Sequence, residues 1–280
     1  MGASVVYGLL SSDGNGFRLG LQNLLEANGT QTTMVGTQRS GNMSDNHHEA
    51  YQAMTIDGFN NKTYHSGAYD LDANVILVLI GTNDCWYVKN GNSSAADPRL
   101  ESGIGAALRF GNLLGSIKTH APEALVLAST LPRNKNQWED RCIQGFNSHL
   151  PAVVQDAVEK GQQVRLVDMY DVVPLDEFHS DGTHPTDHGY QLMAHQWYSA
   201  VSNATEHLCV ERSANTTEPS PAPGSGTVAG VASSNSSSQN DQSASPSKSA
   251  AAASSPSSHL MISLLVPLLT MWMLVVSAHE

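Results

Sequence analysis

The sequence is short of positive charge. Its 280 residues carry 14 Lys and Arg against 26 Asp and Glu, a net charge of −12 with histidine neutral. A nucleic-acid surface needs an excess of Lys and Arg to neutralise phosphates, so that class of partner is excluded. Cysteine is scarce as well, with only Cys85, Cys142 and Cys209. Three cysteines cannot staple a disulfide scaffold, although one pair with one left over is allowed. There is no zinc-finger spacing, no phosphate-cradling glycine loop and no visible internal repeat. Nor does a charged segment followed by an apolar run, the pattern of a secretory leader, stand ahead of Gly2.

What is present divides the chain into three. Residues 1–210 mix apolar runs with turn signals, as one catalytic-sized domain does. Residues 211–258 are dominated by Ser, Ala and Asn, and they read as a disordered stalk that cannot bury enough apolar surface to order itself. Residues 259–280 contain LMISLLVPLLTMWMLVV, 17 uncharged residues from Leu260 to Val276. A membrane-spanning helix is one reading, but the run is short, contains Pro267 and has no flanking Lys or Arg. A lipid-anchor signal fits better, with Ser249, Ala250 and Ala251 as the small-residue site and Ala252 to His259 as the spacer. Asn-x-Ser/Thr sequons at Asn28, Asn42, Asn61, Asn92, Asn203, Asn215 and Asn235 favour the secretory route. The expected location is secreted, at the cell surface or membrane-anchored.

In the first part, Phe17 to Gly29 has leucines near helical spacing, and Gly29 suits a helix stop. Thr32 to Thr37 is β-rich and turn-bounded, which predicts a strand. Residues 38–72 read as a long functional loop with one short helix. Asn74 to Gly81 and Ala124 to Thr130 are continuous apolar runs, as in strands buried on both faces. Helices are expected over about 101–120, 136–160 and 185–203, with a further strand over Val164 to Met169. This alternation predicts an α/β fold with a parallel sheet, and functional groups at the carboxyl ends of its strands.

Three segments offer chemistry. Asn83, in IGTNDC, follows the most apolar strand, where an amide donates to a developing oxyanion; ordinary turn chemistry is the bland alternative. HSDGTHPTDHGY places Asp181 and His184 at D-x-x-H spacing, so that a carboxylate can bond one imidazole nitrogen and leave the other to take a proton. Asp45/His48 and Asp176/His179 share that spacing. They lack the flanking Gly182 for a tight turn and Pro185 for a first helical position. His184 and His188 stand four apart, but no further ligand set accompanies them, and no metal or cofactor is expected. Ser4, after Gly2 and Ala3, has the small neighbours that a nucleophile on a tight turn needs; an ordinary N-terminal Ser is the alternative.

Taken in order, GAS at 2–4, GTND at 81–84 and DGTHP at 181–185 resemble the SGNH (GDSL-type) hydrolase family. SSDGNGFRLGLQNLLEANG, MVGTQRSGNM and DNHHEAYQAMTID are most similar to fungal secreted members related to acetyl-xylan esterases of carbohydrate esterase family three. The resemblance implies a three-layer α/β/α sandwich with a five-stranded parallel sheet and ester hydrolysis without a cofactor. It implies Ser4 as nucleophile, His184 as base, Asp181 as its orienter, and an oxyanion hole of the Ser4 N–H, the Ala53 N–H and the Asn83 side chain.

The family's pattern is broken in three places. Its first-block Asp is Ala3, its second-block Gly is Ala53, and its first central strand has no counterpart before Ser4. If the second-block residue needs a positive φ, Ala53 costs about 1–2 kcal/mol. A signal peptide and first strand upstream of Met1 are expected on this reading. The expected function is a monomeric serine esterase acting on acyl, chiefly acetyl, esters of carbohydrates. A lysophospholipase or short-chain lipase of the same fold is the rival enzyme, and a non-catalytic cell-surface relic is the rival of another class. Pairing of Cys85 with Cys142 is open, with a reduced buried Cys as the alternative.

Overall fold

The computed structural model describes residues 1–89 and 103–215. The expected stalk beyond residue 215, the apolar tail, and the sequons at Asn92 and Asn235 lie outside these residues. Helices α1 (Ser4–Tyr7), α2 (Phe17–Ala27), α3 (Ile56–Ser66) and α4 (Thr82–Lys89) precede α5 (Ile104–His120), α6 (Gln137–Glu159) and α7 (Asp187–Asn215). Strands β1 (Gln38–Arg39) and β2 (His47–His48) form a small antiparallel pair. Strands β3 (Val75–Val78), β4 (Leu125–Ser129) and β5 (Val164–Val167) form a parallel sheet in that order.

The sheet follows from its apolar runs. All five residues of β4 are buried, as a central strand covered on both faces requires. The connections through α5 and α6 are the crossovers that parallel strands need. Helix α5 packs on α3 and α6, and α2 packs on α7, so helices cover the sheet in two groups. That is the expected three-layer α/β/α arrangement. Helix α2 turns Phe17, Leu21 and Leu25 inward, and Phe17 meets Trp197 of α7. Each such buried side chain contributes about 1.5–3 kcal/mol. Helix α6 starts at the N-cap Asn136, whose side chain accepts the N–H groups of Trp138 and Glu139. Cys85 and Cys142 form a disulfide between α4 and α6, 57 residues apart. A cross-link of that span is worth about 4 kcal/mol in loop-closure entropy.

The Ser4 side of the sheet departs from the expectations. The five-strand sheet implied by the family is a three-strand sheet among the described residues. Met1 and Gly2 bond to the chain along and just past β3. Met1 N donates to Leu77 O at 2.7 Å, and Leu79 N donates to Met1 O at 3.1 Å. On the other side Gly2 N reaches Glu49 O and Tyr51 N reaches Gly2 O. Gly2 has no room for a side chain: a Cβ would stand 2.3 Å from Leu79 O.

A cavity of about 140 Å³, lined by Met1, Val75 to Leu77 and Thr33 to Gly36, lies beside this short ladder. Thr32 to Thr37 is accordingly not a strand. Its backbone donors go to carboxylates instead: Met34 N to Asp45 Oδ2, and Thr37 N to Glu49 Oε2. Residues 38–72 hold more order than a loop with one short helix. They contain the β1–β2 pair, the 11-residue α3 and a 3₁₀ turn over Ala68–Leu71. The last helix begins at Asp187 rather than at Pro185, because Pro185 pairs with Phe178 and Thr186 accepts the first helical bond.

Candidate active site

The segments that carry Ser4, Ala53 and Asn83 leave one ladder at one end. Gly2 bridges Ala50 on one side and Leu79 on the other. Ser4, Ala53 and Asn83 follow those residues by two, three and four positions. Ser4 opens the single-turn α1 and is buried to 9 % exposure. As the first residue of a helix, its N–H has no partner within its own turn and is available to an anion.

His184 joins this end from the other half of the sheet. Its Nε2 stands 2.8 Å from Ser4 Oγ, across 180 residues of sequence. Its Nδ1 stands 2.6 Å from Asp181 Oδ2. The carboxylate fixes the tautomer: Nδ1–H donates to Asp181, and Nε2 accepts from the Ser4 hydroxyl. Asp181 Oδ1 accepts the N–H groups of Thr183 and His184. Burial alone raises the Asp181 carboxyl, but the bonds from His184 and the two N–H groups outweigh it and hold the carboxyl below its ordinary value. Gly182 takes φ +76°, and a Cβ there would stand 2.8 Å from Lys135 Cβ. Lys135 N donates to Gly182 O, and the Lys135 ammonium donates to the carbonyls of Phe178 and His179. The loop is thus held by the segment entering α6.

The remaining D-x-x-H spacings do not form pairs. Asp45 lies against His47, and His48 against Ser40. His188 faces Glu177 at 3.0 Å rather than joining His184. Among the described residues no group of three or more His, Cys, Asp or Glu could hold a metal ion.

Ala53 takes φ +55°. The left-handed conformation costs a non-glycine residue about 1–2 kcal/mol, so the conditional expectation for this position is met. Asn83, half-buried at the start of α4, donates from Nδ2 to Met54 O at 3.1 Å. It therefore stands beside the residue that follows Ala53.

Sequence reasoning missed several residues that hold these blocks. Arg18 is 3 % exposed and donates to the carbonyls of Tyr7, Gly14, Ser40 and Asn46 and to Ser40 Oγ. Tyr7 ends α1, so a cation sits at the carboxyl end of the helix that starts with Ser4. Burial lowers the Arg18 guanidinium to about 10, with Asp13 opposing. The available signal was an arginine in register with Leu21 and Leu25 on the apolar face of α2. Asp84, 4 % exposed, binds Arg109 and Ile56 N. Tyr190 and Asp187 tie α7 to the loop after α1, through Leu9 O and Ser12 N.

The family model described as the GDSL-like lipase/acylhydrolase family matches residues 1–192. No curated protein matches the chain. Among solved structures, a Clostridium thermocellum family 3 carbohydrate esterase is 24 % identical with a TM-score of 0.57, over 74 % of this chain and 95 % of its own. A carbohydrate esterase of family 3 from Talaromyces cellulolyticus is 16 % identical with a TM-score of 0.58, over 74 % of this chain and 96 % of its own. The lipase Lip_vut3 from a goat rumen metagenome is 20 % identical with a TM-score of 0.55, over 71 % and 94 %. At these identities the likeness is one of fold.

Proposed function

The chain belongs to the GDSL-like lipase/acylhydrolase family, and from that premise we propose that it is a serine esterase hydrolysing short acyl, chiefly acetyl, esters of carbohydrates. The observation that carries this reading is the relay from Ser4 Oγ through His184 to Asp181, at 2.8 and 2.6 Å. Ser4 attacks the ester carbonyl carbon while His184 Nε2 takes its proton. The tetrahedral oxyanion is held by the Ser4 N–H, the Ala53 N–H and Asn83 Nδ2. His184 returns the proton to the leaving alcohol as the C–O bond breaks. Water, activated by the same imidazole, then frees the acid from the acyl-enzyme. Asp181 stays ionised throughout and stabilises the imidazolium. The carbohydrate preference takes its support from the fold shared with the two family 3 carbohydrate esterases.

Ser4→Ala is expected to lower kcat on a small aryl acetate by roughly 10³-fold or more. A serine-reactive fluorophosphonate is expected to label the parent protein and not the variant. Full activity in Ser4→Ala removes Ser4 from the mechanism, and no labelling of the parent supports the non-catalytic relic. Release of acetate from acetylated xylan, compared with release of fatty acid from a lysophospholipid, tests the substrate class.

We further propose display at the cell surface through a lipid anchor, supported by the composition of residues 211–280. Asn28, Asn42, Asn61 and Asn203 of the sequons are exposed, as glycan carriers need to be. Release of the protein from cells by a phosphatidylinositol-specific phospholipase C tests the anchor.

A further inference from the structure

Ala53 is held in a conformation that alanine avoids, so its neighbours must over-determine it. The next three residues show how. Met54 O accepts from Asn83 Nδ2. Thr55 Oγ1 accepts Gly58 N and caps α3. Ile56 N donates to Asp84 Oδ2 at 3.0 Å. Asp84 is in turn gripped by Arg109 of α5, with Nε and Nη2 both on Oδ1 at 2.9 and 2.7 Å. The Asp84 side chain is 2 % exposed and that of Arg109 is 23 % exposed. A second acid, Asp57, lies 3.9 Å from Arg109 but is largely in solvent.

From this we propose that the Asp84–Arg109 ion pair is a positioning device for the oxyanion site, holding the strained turn so that the Ala53 N–H stays aimed at the reacting carbonyl. The inference rests on the esterase reading given above. Neither residue touches the reacting atoms. Arg109 acts through Asp84, and Asp84 acts through Ile56 N. Burial pushes the Asp84 carboxyl up, and the Arg109 guanidinium opposes that push and keeps the carboxylate available to Ile56 N. Without the guanidinium, Asp84 is a buried carboxyl with no counter-charge. It then takes a proton or turns toward solvent, and the turn loses its anchor on one side. Ala53 is left to relax from the left-handed region, which swings its N–H away. Glycine at the same position has no strain to release.

The test is a double-mutant cycle on the full chain. Arg109→Met is expected to lower kcat on a small aryl acetate about tenfold or more, with KM changed less than twofold. In an Ala53→Gly background the same substitution is expected to cost threefold or less. Arg109→Lys, which keeps the charge and loses the fork, is expected to recover part of kcat and serves where Arg109→Met folds poorly. Equal losses in both backgrounds, measured per folded molecule, overturn the proposal and leave the ion pair a purely structural tie. Amide hydrogen exchange over residues 50–56 supplies a readout independent of hydrolysis. Exchange is expected to quicken in Arg109→Met at temperatures well below melting, and unchanged exchange also overturns the proposal. Should the parent fail to label with the fluorophosphonate, the esterase reading falls, while the exchange measurement still decides whether the pair holds the turn.

Discussion

The two halves of the candidate site reach similar order by different routes. The His184 half rests on regular structure. It follows the edge strand β5, turns at a glycine with φ +76°, and is backed by the segment leading into α6. The Ser4 half relies more on side chains. Gly2 bridges Ala50 and Leu79 there, and the second block puts an alanine at φ +55°. Buried charged groups tie the segments together there: Arg18 on four carbonyls, Glu49 on Thr37, Tyr51 and Ser66, and Asp84 on Arg109 and Ile56. A site can be positioned by ladder bonds or by charge-assisted side-chain bonds. The second kind exposes it to pH and to single substitutions.

Acid separates the halves most strongly. Burial, with the Arg18 charge adding to it, lowers His48 from 6.5 to about 3. Between those values the unfolded imidazole holds a proton that the folded one refuses, so stability falls as pH drops below about 6.5. The slope is at most about 1.4 kcal/mol per pH unit. Asp181 is lowered instead, so its contribution is present above its ordinary value of 3.8 and is lost only in stronger acid. Thermal midpoints from pH 7 to pH 4 are expected to fall in the parent and to fall less steeply in His48→Gln. Parallel curves would place the acid sensitivity elsewhere.

Arg18→Met removes donors from the carbonyls of Tyr7, Gly14, Ser40 and Asn46 at once. The expected destabilisation is about 3 kcal/mol, with kcat lowered in the fraction that stays folded. Urea titration and active-site labelling measure the two effects separately. On the other half, Gly182→Ala meets both a positive φ and Lys135 Cβ, and about 2 kcal/mol of strain is expected. Activity there should drop because Asp181 moves with the turn; a variant of parental stability and activity would show that loop to be softer than drawn. The smallest effect runs the other way. Ala53→Gly relieves the left-handed alanine and is expected to raise stability by up to about 1 kcal/mol, readable as a small upward shift in thermal midpoint.

Much of the regular half was legible in sequence. NVILVLIG, ALVLAST and VRLVDM are apolar runs whose neighbours in sequence decide their state, and they became β3, β4 and β5. The D-x-x-H spacing with Gly182 singled out, among three, the pair that stands in hydrogen-bond contact, because a tight turn is a local property. Thr32 to Thr37 failed for a reason that is not local. β-propensity makes a segment ready to pair, but its donors found Asp45 and Glu49 rather than a neighbouring strand. Arg109 was invisible, since nothing within its helix announces a partner 25 residues back.

By itself, then, the sequence determined the α/β alternation, the order of the three blocks and the hydroxyl, amide, carboxylate and imidazole that Ser4, Asn83, Asp181 and His184 present. These depend on side-chain type and short-range spacing. Only the tertiary structure decided that His184 reaches Ser4, that Cys85 pairs with Cys142, that Ala53 is left-handed, and that buried charges support the Ser4 half. Each of those depends on which distant groups share a desolvated site, where an unpaired charge or N–H is too costly to leave and so selects its own partner.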